Sequence, residues 1–209
     1  TLTARTPSRS GYTFNGWYTK ASGGSKVVNA GASFTPSKSQ YLYGHWSKSV
    51  NDLTITYEDV SYTYDGTAKT IGITVQDGTT TLVQGTDYTV TYQDNTNAGT
   101  GKVIITGTGN YSGTITLEFT INKKKITVPS YANKTYNTQE QSISAGGGYT
   151  LTGTTKATNV STNTATAKLS DTANTEWSDS TTADKTITWK IVAYNISGND
   201  NSTIDTVGR

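Results

Sequence analysis

Apolar residues along this chain alternate with polar ones at period two in short stretches, and turn residues break the alternation at short intervals. Tyr88-Val90-Tyr92, Leu117-Phe119-Ile121 and Ile187-Trp189-Ile191 are the clearest cases. Thr, Glu or Lys sits between the apolar members, so each stretch predicts a strand with one face inward and the other wet. Tyr64-Asp65-Gly66, Gln76-Asp77-Gly78, Asn97-Ala98-Gly99 and Gly146-Gly147-Gly148 supply turn chemistry between such stretches. Almost nothing follows the helical period. The expected fold class is therefore mainly β.

The pattern also repeats. Set against residues 123–193, residues 52–122 show matching landmarks in the same order. Tyr64 in "YTYDGTAKT" aligns with Tyr136 in "KTYNTQEQS", "DYTVT" with "GYTLT", "TNAGT" with "TNVST", Tyr111 with Trp177, and "TLEFTI" with "TITWKI". Two divergent copies of one all-β unit explain this order. Their length suits small β-sandwiches with modest cores. Residues 1–48 do not fit the repeat and read as a separate unit. The expected organisation is 1–48, then sandwiches at 52–122 and 123–194, with 195–209 as a tail or the start of another module. Ser47 to Asp52 reads as a short linker.

Composition sharpens this picture. Only 32% of the 209 residues are hydrophobic and 15% charged, while β-branched and aromatic residues are frequent. That is the profile of polar-faced sheets rather than of disorder. The net charge of +2 argues against nucleic acid as a partner. The one basic cluster, Lys123-Lys124-Lys125, would make only a few salt-sensitive phosphate contacts. The chain has no Cys, which excludes disulfides, thiolate metal sites and a Cys nucleophile. It has no Met, even at position 1, so it reads as an internal fragment or a processed product. No run is long and apolar enough to predict a membrane span.

The first unit contains "GYTFNGWYT", a Gly23-Gly24 pair and the closing "YLYGHW". Over about residues 5–47 it resembles the Listeria–Bacteroides repeat, also called the internalin B-repeat family, with Gly44 where Ala is usual. The resemblance implies a small β-grasp-like fold of a kind found in tandem on bacterial surface proteins. The family pattern opens with an earlier strand and an Asn-Gly-Gly turn that are missing here. The unit is therefore expected to be truncated, with an exposed strand edge open to self-association. Residues 52–122 and 123–193 resemble bacterial Ig-like surface repeats of the MBG/YDG type, with Thr138 and Ser161 standing in the second copy where that pattern has glycine. These resemblances imply a non-catalytic stalk or adhesive segment at a Gram-positive cell surface or cell wall. They point to a host or bacterial surface glycan or protein as ligand. A carbohydrate-binding accessory region of a large secreted enzyme is the alternative.

Candidate chemistry is sparse. His45 is the only His, and neither a metal site nor a catalytic triad can be assembled around it from the sequence. The acids, such as Asp65, Asp87, Asp94, Asp171 and Asp179, sit in turn signals, where carboxylates bond local N–H groups. "QDNTNAG" lacks the spacing of a Ca²⁺ loop. A Lys–Asn isopeptide bond, for example Lys69 with Asn122, has residues available but no distinguishing spacing. No enzyme activity, cofactor or metal is expected. Tyr18, Tyr43 and Trp46 are the candidate ligand-contact aromatics. Phe14, Trp17, Tyr88, Val90, Phe119, Ile121, Trp177 and Trp189 are the expected core.

Overall fold

A computed structural model describes residues 1–194, so the expected 195–209 tail lies outside the described residues. The chain is mainly β, as the alternation predicts. It divides into two compact units, one of residues 1–123 and one that begins at Lys124.

In the first unit, residues 1–49 supply β1 (Leu2–Thr3), β2 (Thr13–Tyr18), β3 (Lys26–Val28), β4 (Ser33–Phe34) and β5 (Tyr43–Ser49). β1 pairs with β4, and β2 is sandwiched between β3 and β5. The register of β2 on β5 slips between Phe14 and Gly16. This bulge leaves Asn15 unpaired and brings Phe14 and Trp17 together, their rings 5.3 Å apart edge to face. Phe14 also meets Trp46 edge to face at 4.9 Å.

The same unit continues through a 3₁₀ turn, Val50–Asp52, into β6 (Thr54–Tyr57), β7 (Ser61–Thr63), β8 (Ile73–Asp77), β9 (Thr80–Thr81), β10 (Tyr88–Gln93), β11 (Gly99–Gly107), β12 (Tyr111–Ser112) and β13 (Thr114–Asn122). One sheet runs β10-β11-β13-β7 and the other β6-β8-β9. Val75, Leu82, Tyr88, Val103, Ile105, Phe119 and Ile121 close the core between them. In β11 and β13 most inward residues alternate with Thr, Lys and Glu on the outer face, Ile104 being the apolar exception.

The second unit has β14 (Lys124–Ile126), β15 (Lys134–Thr135), β16 (Gln141–Ser142), β17 (Tyr149–Gly153), β18 (Lys156–Ala157), β19 (Ser161–Leu169), β20 (Thr175–Trp177) and β21 (Lys185–Val192). Its main sheet, β17-β19-β21-β15, repeats the β10-β11-β13-β7 order. The register repeats too. Tyr88 faces Gly107 and Val103 faces Leu117, while Tyr149 faces Leu169 and Ala165 faces Ile187. The Tyr64 N–H donates to the Asn122 C=O as the Tyr136 N–H does to the Val192 C=O. The tandem duplication read from the sequence is thus carried by the ladder itself.

The copies fill their cores differently. Val103 and Ile105 are replaced by Ala165 and Ala167, and the lost volume is taken up by Trp177 and Trp189, both buried. Each indole N–H finds a carbonyl, Ala183 for Trp177 at 2.8 Å and Thr154 for Trp189 at 2.7 Å. Conversely, Gly101 in the first copy leaves room for the Phe119 ring, which a Cβ there would meet at 2.4 Å. Thr138 holds φ = 66° at the turn where the first copy has Gly66 at φ = 83°.

Ser47 to Asp52 is not a free linker. β5 runs through Ser49, and its last residues pair in parallel with β12, Lys48 opposite Tyr111 and Ser49 opposite Ser112. Val50 is fully buried. The N-terminal sheet therefore takes its edge strand, β12, from the segment that folds the following sandwich. The boundary residues became core because β11 and β12, far away in sequence, fold over them.

Candidate functional site

His45, Asp65, Lys69, Asn95 and Asp179 each have a partner within the chain. His45 Nε2 lies 2.8 Å from the Lys20 carbonyl, and its ring stacks on Tyr18 at 3.9 Å, 6° from parallel. Among the described residues no three His, Cys, Asp or Glu side chains cluster to hold a metal. Asp65 Oδ1 accepts from the Thr67 N–H at 2.8 Å and sits 2.5 Å from the buried Lys69 ammonium. The hydrogen bond from Lys69, then those from Thr67, hold the Asp65 carboxyl far below the usual carboxylate range. Asp179 is similarly lowered to about 2, first by Lys185 and then by Thr181. Asn95, in the loop weighed for calcium, donates its amide to the Lys69 carbonyl at 2.8 Å. Lys69, weighed as an isopeptide donor, turns its amine to Asp65 and Thr67.

Burial sorts the residues expected in the core. Tyr88, Phe119, Ile121, Trp177 and Trp189 are buried, while Val90, Phe14 and Trp17 are half-buried. Trp17 is covered by the short β1–β4 pair: its Nε1 donates to the Arg5 carbonyl at 3.0 Å, beside a small apolar cleft lined by Leu2, Ala4, Phe34 and Leu42. Tyr43 is exposed and stands outside any cleft described here.

Tyr18 and Trp46 do meet in one place. A polar cleft of about 540 Å³ is lined by Arg9, Asn15, Tyr18, His45, Trp46 and Asn110, with Gly23 and Gly24 at its rim. The Arg9 guanidinium lies 3.7 Å over the Tyr12 ring. Ser47 Oγ lies 3.1 Å from Asn15 Oδ1 and 2.9 Å from Ser112 Oγ. Aromatic walls and amide and guanidinium donors in one concavity suit a small polar ligand. Arg9, Asn15 and Asn110 carry no sequence signal for this, since they come from segments that only the fold brings together.

Below this cleft lies the joint between the N-terminal segment and the first sandwich. Lys48 Nζ is 2.6 Å from Asp77 Oδ1, and the Tyr111 hydroxyl donates to Asp77 Oδ2 at 3.3 Å. The Lys48 ammonium is held above its ordinary pKa chiefly by the Asp77 hydrogen bond, and the Tyr111 hydroxyl is raised by burial and then by Asp77. The Lys48 N–H also donates to the Asn110 carbonyl at 2.9 Å.

Residues 1–45 match the Listeria-Bacteroides repeat domain. That repeat is found in bacterial surface proteins. The match ends at His45, within β5, so the matched residues and the joint share one strand. The aromatics of β2 and Tyr43 of β5 lie within the matched residues, whereas Trp46, Lys48 and Val50 lie past them. No curated protein matches the chain. Among the described residues no helix is long and apolar enough to cross a membrane.

Proposed function

We propose that this chain is a non-catalytic stalk segment of a bacterial cell-surface protein, outside the cell, which spaces and presents other domains. Residues 52–122 and 123–194 are then Ig-like surface repeats of the MBG/YDG type, following the Listeria-Bacteroides repeat. The observation that carries this reading is the continuity of strands. β5 closes the N-terminal sheet and pairs with β12 of the following segment, and a second copy of the sandwich begins at β14, with one residue between it and β13. Within the first unit the connection out of the repeat is a strand rather than coil, which supports a fixed spacing there.

The test is substitution in the surface protein that carries the segment. Deleting residues 124–192 should weaken adhesion or presentation by the domains beyond it. Inserting an unrelated β-sandwich of similar size should restore it. Failure of the unrelated module to restore function would show that these residues bind something themselves.

The cleft at Tyr18, His45 and Trp46 favours a second reading, a carbohydrate-binding accessory region. A stacked aromatic pair beside amide and guanidinium donors is the equipment a saccharide ring needs. Here Trp46 fluorescence would shift on titration with surface glycans, and Trp46→Phe would abolish the shift. No shift across a glycan panel would leave the spacer reading alone.

A further inference from the structure

Among the described strands ten of the fourteen ladders are antiparallel, and the exceptions share one position in the topology. Among the described strands, four pairings are parallel: β5 with β12, β7 with β13, β14 with β20, and β15 with β21. Each sandwich has two. In every case the first partner is a strand by which the chain enters the sandwich, and the second is near or at the strand by which it leaves.

That placement matters under tension. When a chain is pulled from both ends, the entering strand is drawn toward its own N-terminus and the leaving strand toward its C-terminus. In a parallel pair these forces lie along the strands in opposite directions. The hydrogen bonds between them are then loaded together, in shear. In an antiparallel hairpin pulled apart at its open end, the bonds break one at a time. A shared load gives a higher barrier to forced unfolding, which is governed by the unfolding rate rather than by equilibrium stability.

Further contacts lengthen each of these ladders. The Lys48 N–H donates to the Asn110 carbonyl beside β5·β12, and the Tyr64 N–H to the Asn122 carbonyl beside β7·β13. The Lys124 N–H donates to the Asn174 carbonyl and the Ser178 N–H to the Ile126 carbonyl around β14·β20. The Tyr136 N–H donates to the Val192 carbonyl beside β15·β21. One of these ladders also carries an ion pair across it: Lys125 reaches Glu176, its register partner, at 2.7 Å. Lys48 instead ties β5 to β8, through Asp77 at 2.6 Å. These ion pairs are partly exposed and add little alone.

We propose that the four parallel pairs are mechanical clamps, and that the chain's further function is to bear tension between whatever it connects. This deepens the spacer reading and rests on it only for the source of the force. A chain that fails the force test can still space domains. A chain that passes keeps its clamps even if the spacer-replacement experiment fails.

The test is force spectroscopy on the full chain, which has no Cys of its own. Handles are attached in one preparation at Thr1→Cys and Tyr194→Cys, so that tension runs along the chain. In a second preparation they are attached at Thr86→Cys and Asn110→Cys, two exposed positions near the open end of the β10–β11 hairpin. At equal loading rate the first geometry should rupture at a force at least about twice that of the second, because the bonds share the load. Each sandwich should release roughly 200 Å of chain in one step. Tyr64→Pro removes the N–H that bonds Asn122 and should lower only one of the two high-force steps. If that variant does not fold, the comparison of geometries decides alone. Equal or lower force in the end-to-end geometry would overturn the proposal, as would two steps untouched by a folded Tyr64→Pro.

Discussion

Gly107→Ala tests whether the N-terminal segment and the first sandwich are locked together. Gly107 ends β11, and a Cβ there would lie 2.7 Å from the Ser112 N, 2.8 Å from the Tyr111 carbonyl carbon and 2.9 Å from Val50 Cγ1. The first two contacts are backbone atoms of β12, so no rotamer relieves them. β12 must move away from β11, and it is β12 that pairs with β5. Overpacking of this kind destabilises by about 1–3 kcal/mol. The gain from removing a strand glycine offsets about 0.5–1 kcal/mol of that. The net expectation is a loss of about 1–2 kcal/mol, or a fall of roughly 4–10 °C in the melting temperature of the first unit. Calorimetry should show that transition lowered and the transition of the unit beginning at Lys124 unmoved. Hydrogen exchange should show the Lys48 amide, which donates to Asn110, losing protection. Gly72→Ala is the control within the same unit, since a Cβ there meets nothing within 4 Å. Unchanged stability together with unchanged protection at Lys48 would refute the joint and return Ser47 to Asp52 to the status of a linker.

Three further outcomes follow from the same geometry. Gly101→Ala drives a methyl into the buried Phe119 ring and should lower the first unit's stability by about 1–2 kcal/mol in urea titration, whereas Asn163→Ala at the matching position of the second copy should change little. Thr138→Gly relieves a β-branched residue at φ = 66° and should stabilise the second unit by about 0.5–1 kcal/mol, since a left-handed L-residue costs about 1–2 kcal/mol and glycine's extra unfolded freedom offsets part of it. Asp179 has its carboxyl lowered to about 2, so its contribution is present above the ordinary carboxylate pKa and lost as pH falls through about 2; in Asp179→Asn that acid-limb loss should be missing from the second unit's stability profile between about pH 4 and 2.

Much of the fold was legible because it is written locally. Alternation in Leu117-Phe119-Ile121 and Ile187-Trp189-Ile191 is a property of adjacent residues, and the strands lie there. The duplication was legible because Tyr64 and Tyr136, or Tyr88 and Tyr149, hold fixed ladder positions that a sequence comparison can pair. The joint was not legible. Val50 is buried by β11 and β12, some sixty residues on, and nothing in "SKSVND" announces that partner. The β2 bulge was hidden too. Strict alternation would place Phe14 and Trp17 on opposite faces, and only the extra residue Asn15 unites them. The cleft was half legible, its aromatics from "GYTFNGWYT" and "YLYGHW", its polar donors from segments joined by tertiary structure alone.

The central claim, a spacer displayed outside a bacterial cell, is tested most directly by mild protease shaving of intact producing cells, with peptides identified by mass spectrometry. The account predicts that peptides from residues 1–194 are released from unbroken cells, starting at exposed loops such as the one carrying Tyr41. Peptides that appear only after lysis would contradict it.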